Sequence, residues 1–307
     1  MVKKFDVLVI GEINPDLILS GDVVPAFGQV EKWIDAADLT IGSSSVILAC
    51  GAANLGLSVG FCGLCGDDVF GRFMLDEMQT HDIDISAVDV RQGEATGMSI
   101  ILNRKVDRAI LTFPGLIPEL RIEDIPDDLF EKAGHLHVAS YFLQTKLQAG
   151  ILTLFGKARE HGLSISLDTN WDPSGEWKDF DQILAAVDIF LPNENEAMAL
   201  TKTNTPQQAL EVLAEKCETV AIKLGAEGAI AGRKGEVAQV PALKMDVVDT
   251  VGAGDTFDSG FLYGYLHQWP LQKTLEFASI CGSLSTRAAG GTQAQPTFDE
   301  VMQYVKR

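Results

Sequence analysis

Short apolar runs bounded by turn residues recur along the chain, at residues 5–10, 59–64, 135–139, 164–167, 189–191 and 220–224. Each has the length of a β-strand, and most are too continuously apolar for a sheet with one wet face. Between them, Phe70, Phe73, Met74 and Met78 recur at helical spacing, as do Ile151, Leu154, Phe155 and Ala158. Strands alternating with helices predict βαβ units and a mostly parallel sheet covered on both faces. In such sheets ligands bind beyond the carboxyl ends of the strands. Two stretches break the alternation. Residues 12–40 and about 95–113 lack a helical period, and the second predicts a hairpin around Asn103 to Asp107. They predict a small accessory sheet, suited to a lid or to contact between two copies. With no repeat, low-complexity tract or linker, the expectation is a single domain over residues 1–307.

Composition narrows the partners. Lys and Arg total 24 against 43 Asp and Glu, a formal charge of −19. Such a surface repels phosphate backbones and anionic headgroups, so no nucleic-acid or membrane partner is expected. Any anionic ligand needs a local device, such as backbone amides or a metal ion. No apolar run approaches the roughly 20 residues of a membrane span. The opening Met1-Val-Lys-Lys-Phe5 leads into a strand rather than a signal peptide, so a cytoplasmic protein is expected. Five scattered cysteines argue against a disulfide framework. Cys62 and Cys65 form a C-x-x-C, but their neighbours are apolar and no second pair accompanies them, so a buried strand is expected. His135 and His137 point to one face of a strand without a third ligand, which favours a structural or pocket-lining role over zinc.

Residues 248–262 carry the chemistry. Phe257, Phe261 and Tyr265 recur at helical spacing just after Gly252-Ala-Gly254. Those three residues therefore stand at a helix start with little side-chain bulk. Unpaired amides and the positive dipole end make an anion site there without a basic residue. Asp255 follows at once. It either simply favours the helix dipole or, beside a bound γ-phosphate, accepts the proton of an attacking hydroxyl.

The string Asp249-Thr-Val-Gly-Ala-Gly-Asp-Thr-Phe257 with Ser259-Gly260 closely resembles the C-terminal signature of the ribokinase-like (PfkB-type) carbohydrate kinases. Further ordered motifs extend the likeness over nearly the whole chain: residues 11–16, Gly66-Asp-Asp-Val-Phe-Gly71, Asp168-Thr-Asn170, Pro192-Asn-Glu-Asn-Glu196, Lys223-Leu-Gly-Ala-Glu-Gly228 and residues 287–292. The resemblance implies a ribokinase-like α/β fold with a central mostly parallel sheet flanked by helices and a small β-sheet lid. It implies an ATP-dependent sugar kinase in which Asp255 is the base and Gly252, Ala253 and Gly254 form the anion hole. Asn14, Asp16, Gly42, Ser43, Asp168 and Asn170 would bind the sugar, and Asn193, Lys223, Gly225 and Gly228 the nucleotide. Glu196 would orient a water on Mg²⁺, and Asp249 would serve a monovalent cation such as K⁺. Asn193 and Glu196 equally suit a turn followed by a first-turn carboxylate.

One departure bears on the substrate. The family's Gly-Gly-x-x-x-Asn becomes Gly42-Ser-Ser-Ser-Val-Ile47, with Ile47 where a sugar-binding Asn is expected. Losing a buried polar partner can change selectivity by orders of magnitude, so ribose does not follow from the resemblance: either Ser43, Ser44 and Ser45 supply hydroxyls instead or the pocket takes a different sugar. Arg104, Lys105 and Arg108 on the hairpin suit a sugar phosphate or merely a solvated tip. The rival readings are a nucleoside kinase with Phe113 as base platform and a non-catalytic sugar sensor. No G-x-G-x-x-G opens the first βα unit, and neither Walker A nor protein-kinase signatures occur. Paired lids would give a homodimer.

Overall fold

In the first strand, Val7 and Val9 point to one face and Leu8 and Ile10 to the other, and all four are fully buried. A strand that is wet on neither face must have helices on both sides. The computed structural model shows that arrangement over residues 3–104, 108–178 and 180–305. Lys105, Val106 and Asp107 of the expected hairpin tip lie outside these described residues.

In chain order the strands are β1 (Phe5–Ile10), β2 (Pro15–Ser20), β3 (Ala36–Ile41), β4 (Val59–Gly66), β5 (Asp84–Arg91), β6 (Met98–Asn103) and β7 (Arg108–Phe113). The later ones are β8 (Ala133–Val138), β9 (Ser164–Leu167), β10 (Ile189–Phe190), β11 (Thr219–Lys223), β12 (Ala229–Arg233) and β13 (Glu236–Val240). The helices are α1 (Ser44–Asn54), α2 (Val69–Thr80), α3 (Asp128–Lys132), α4 (Thr145–Gln148), α5 (Ile151–Glu160) and α6 (Phe180–Ala186). After them come α7 (Glu194–Thr201), α8 (Pro206–Ala214), α9 (Ala253–Leu266), α10 (Leu271–Ser285) and α11 (Phe298–Met302).

Nine strands make the main sheet in the order β13-β12-β11-β10-β9-β8-β1-β4-β5. From β11 to β5 every pairing is parallel, and the β12–β13 hairpin closes one edge antiparallel. On one face Leu8, Ile10, Leu136, Ile165, Leu167 and Phe190 pack with Leu154 and Phe155 of α5 and Leu210 and Leu213 of α8. On the other, Val7, Val9, Phe61, Ile189 and Leu191 pack with α1, α9 and α10 through Val46, Leu48, Phe257, Phe261 and Leu275. The mostly parallel α/β sheet covered on both faces, expected from the alternation, is therefore the architecture observed. No described helix is long and apolar enough to cross a membrane.

The two stretches without helical period supply all four strands of a separate sheet, ordered β3-β2-β6-β7. Its β7 is exposed at every position. Two features are additional to the sequence reading. Strand β5 forms the far edge of the main sheet with little apolar character, and β12, although buried along its first four residues, pairs antiparallel to both of its neighbours.

Phe190 is fully buried in the central β10. Replacing it with Ala should cost about 3–5 kcal/mol of unfolding free energy in urea titrations, whereas Val237→Ala on the exposed edge strand β13 should cost less than about 0.5 kcal/mol.

Candidate active site

Helix α9 begins where the chain turns through Gly252, whose φ of 72° is left-handed. A Cβ at that position would stand 2.7 Å from the Cα of Gly291, so glycine is required twice over, by conformation and by space. No side chain caps the helix. The Ala253 amide donates to the Thr250 carbonyl at 3.3 Å, and the Thr256 amide to that of Gly252 at 2.9 Å. Among the described residues the amides of Gly254 and Asp255 carry no partner. Open amides thus stand at the positive end of a fourteen-residue helix, Gly254 among the three residues expected to meet an anion and Asp255 beside them.

Beneath this helix start lie the ends of β9 and β11. Period-2 alternation puts Ile165 and Leu167 into one core and turns Ser164, Ser166 and Asp168 toward α9. His135 and His137 on β8 share that face. Ser164 and Ser166 engage His135, Ser166 also meets Nδ1 of His137, all at 2.7 Å, and both rings are fully buried. Burial holds each imidazole down near 3, hence neutral. Lys223, from the end of β11, donates to Asp168 Oδ2 at 2.9 Å and to both Asp258 oxygens at 2.9 and 3.2 Å. The ammonium expected to meet nucleotide is therefore committed to two carboxylates, although its stem still lines the cleft beside Gly254. Asp258 escaped the sequence reading. Its one signal is the i, i+3 spacing from Asp255, which puts both on one helix face.

A cleft of about 860 Å³ opens over these groups. Ser44, Asp168, Asn170, Asp255 and Gly254 line one end; Asn193, Glu196, Gly225 and Gly228 line the middle. Leu243, Met245 and Val247 make the far end apolar. Asn193 caps α7 by accepting from the Glu196 amide at 3.0 Å, while Glu196 Oε2 accepts from the Asn193 amide at 2.9 Å. The capping role and the cleft-lining role are held by the same pair. Gly228, at φ 101°, turns the loop after β11 so tightly that a Cβ would meet the Val240 carbonyl at 2.0 Å.

Asn14, Asp16, Gly42 and Ser43 stand beside this cleft rather than in its wall. Asn14 Nδ2 donates to Asp16 Oδ1 at 3.4 Å, and a Cβ at Gly42 would fall 2.3 Å from that same oxygen. Two of the three serines are spent elsewhere. Ser43 Oγ donates to the Glu12 carbonyl at 2.7 Å and caps α1 by accepting from the Val46 amide. Ser45 Oγ donates to Glu12 Oε2 at 2.6 Å. Ser44 alone of the three lines the cleft, accepting from Asn170 Nδ2 at 3.3 Å. Glu12, also unforeseen, is a buried hub that takes Ser140 as well, at 2.8 Å. Asp249 accepts from the Val251 and Gly290 amides at 3.1 Å each, tying the loop before α9 to the late loop, a role that needs no cation.

Electrostatics separate the acids. Burial, reinforced by Asp168, pushes Asp255 up to about 7, against the opposing pull of Lys223 and the Ser44 hydroxyl. Burial likewise raises Glu196 to about 7, and Asp16 to about 7 despite Arg108 across the way. Burial would raise Asp168 too, but Lys223 and a hydrogen bond from Asp258 keep it below the ordinary carboxylate range. Arg108 reaches the cleft from β7.

A family model for pfkB family carbohydrate kinases matches residues 6–297 of this chain. Over 284 residues the chain is 28% identical to the 5-dehydro-2-deoxygluconokinase of Geobacillus thermodenitrificans, covering 87% of this chain and 84% of that protein. Over 274 residues it is 29% identical to the 2-dehydro-3-deoxygluconokinase of Bacillus subtilis, covering 84% of each. The ribokinase of Arabidopsis thaliana, solved with ribose and ATP, shares the fold at a TM-score of 0.84 with 21% identity, covering 100% of both chains.

The raised acids carry a stability consequence. A carboxyl whose folded pKa lies above its unfolded value stabilises the fold below about pH 4, and that contribution is lost as pH rises through the folded value, here about 7. At pH 8 the ionised Asp255 is therefore a net burden. Asp255→Asn should raise the unfolding free energy at pH 8 by at least ~1 kcal/mol and change it little at pH 4, as urea titrations at the two pH values would show.

Proposed function

The chain belongs to the pfkB family of carbohydrate kinases, and from that premise we propose that it transfers the γ-phosphoryl group of ATP to a hydroxyl of an acidic sugar. One observation carries the reading: a carboxylate poised near neutrality, Asp255, adjoins two open amides at a helix start inside a cleft large enough for both substrates. The sugar hydroxyl approaches the γ-phosphorus, its proton passes to Asp255, and the bond to the β-phosphate oxygen breaks. The Gly254 and Asp255 amides meet the charge that gathers on the transferring oxygens. Preorganised donors in a partly dry cleft act with little reorganisation.

Asn193, Gly225 and Gly228 support a path for the nucleotide phosphates, and the apolar end at Leu243, Met245 and Val247 suits a base. Glu196 fits Mg²⁺ chemistry: its carboxylate lines the cleft while Oε2 is held by the Asn193 amide, which fixes its orientation. Bound Mg²⁺ would neutralise phosphate charge, and Glu196 would hold one of its waters.

For the acceptor, two observations agree. Two of the relatives named above, the 5-dehydro-2-deoxygluconokinase and the 2-dehydro-3-deoxygluconokinase, act by their names on gluconate derivatives, whose carboxylates need a cation. Arg108 brings a guanidinium from the small sheet to a cleft end otherwise rich in acids, next to Asp16. Asn14 and Asp16 would take sugar hydroxyls and Ser44 and Asn170 the rest of the ring. The small sheet would close as a lid and shed water. Exposed apolar groups on β7 (Ile110, Leu111 and Phe113) and in the segment joining β2 to β3, where Phe27 and Trp33 are more than nine-tenths exposed, support a homodimer through the lids.

Three outcomes test this reading. An ADP-release screen over pentoses, hexoses, keto-deoxy sugar acids, sugar phosphates and nucleosides should show the sugar acids turned over fastest; nucleosides leading would overturn the acidic-sugar reading. On the best substrate, Asp255→Asn should lose on the order of 10²–10⁴ in kcat while ATP affinity holds, and wild-type kcat should climb with pH through about 7 as the base ionises. Arg108→Leu should raise the KM of a sugar acid at least tenfold, roughly, and that of ATP hardly at all. Separately, Trp33→Asp should turn a dimer into a monomer in sedimentation velocity runs, with a wild-type monomer contradicting the lid pairing.

A further inference from the structure

Asp168, Asp255 and Asp258 bring carboxylate oxygens within 4.8 Å of one another. Lys223 bonds to two of the three, and it is the one ammonium in contact with the cluster among the described residues. Asp168 is 4% exposed and Asp258 not at all. The other titratable neighbours are Glu196 from α7, Glu12 after β1, which acts on Asp255, and His137 from β8, the last of them neutral.

Charge arithmetic forbids full ionisation of this group. Three carboxylates against one ammonium would leave two net negative charges where the γ-phosphate has to arrive. Carboxyls at such range resolve the conflict by sharing protons. Asp258 is the deepest of the three, and it can donate to Asp168 while Lys223 bridges both. We propose that Asp168 and Asp258 share one proton, held on Asp258, and that this pair with Lys223 forms a neutral pedestal that leaves Asp255 as the carboxylate free to ionise at the phosphoryl site. Asp258 is then a positioning residue. The sugar proton goes to Asp255, and the proton on Asp258 stays in place throughout the cycle.

Two further features agree with this. The Asp258 carboxyl is driven far above the ordinary range by burial, and Asp168 sits below it while accepting a hydrogen bond from Asp258. The helix start is also anchored by the same contacts, since Lys223 ties α9 to the ends of β9 and β11. The consequence for turnover rests on the kinase reading; the shared proton itself does not.

The test uses both properties. Infrared difference spectra of the folded enzyme at pH 9, above the values near 7 of Asp16, Glu196 and Asp255, should retain a protonated-carboxyl band. Asp258→Asn should remove that band and Asp255→Asn should keep it. In kinetics, Asp258→Asn supplies a neutral donor of the same shape and should lose less than about tenfold in kcat, with ATP and sugar KM little changed. Its alkaline limb should move to higher pH, because the variant has no pedestal proton to lose. Asp258→Leu should lose more than about a hundredfold. The absence of any Asp258-dependent band, or an Asn variant as impaired as the Leu variant with an unmoved alkaline limb, overturns the proposal. A band present in a protein that phosphorylates no sugar supports the shared proton and counts against the kinase reading instead.

Discussion

A single ammonium, that of Lys223, lies between the end of β9, the end of β11 and the first turns of α9, held by Asp168 and Asp258 at 2.9 Å each. The contact joins the first turns of α9 to the ends of two central strands. Asp255 is one turn from Asp258 on the same helix, and Gly254 passes beside the Lys223 side chain, where a Cβ would stand 3.7 Å from Nζ. Such a group is costly to bury and costly to break. Removing one partner from a buried ion pair leaves an uncompensated charge, at about 3–5 kcal/mol, even where the intact pair contributes little net stability. The contact therefore specifies position more than it adds stability.

The sheet makes room for this polarity by division of labour between its faces. Leu8, Leu136, Ile165 and Phe190 fill one side with hydrocarbon. Beneath α9, by contrast, His135, His137, Ser164, Ser166 and Asp168 form a buried polar strip with short hydrogen bonds. Glycines finish the fit where side chains would collide, at Gly252 against Gly291 and at Gly42 against Asp16. The acids raised toward 7 lower the fold's stability at neutral pH, because burial must be offset once they ionise.

Much of this was legible in the residues. Alternation of apolar runs and helical spacing gave the parallel sheet and the segregated small sheet, because each follows from local periodicity. The Gly252-Ala-Gly-Asp255 string announced a bare helix start, since bulk and position are both visible in sequence. Asp258 and Glu12 were not legible. Their importance comes from partners 35 to 128 residues away, Lys223 for the one and Ser140 for the other. The same distance explains the serines: Ser43 and Ser45 look available in sequence, but Glu12 claims both. Lys223 was legible as a cleft residue and not as a bridge. Strand β5 lies at a sheet edge, where partial burial weakens the apolar signal on which strand recognition depends.

The account holds that the Lys223 bridge fixes the start of α9 over the sheet. Hydrogen–deuterium exchange of Lys223→Met, read by mass spectrometry, tests that claim most directly. It predicts faster exchange than wild type in residues 253–259, with the β1 and β8 amides as protected as before. Equal protection of residues 253–259 in the two proteins would contradict it.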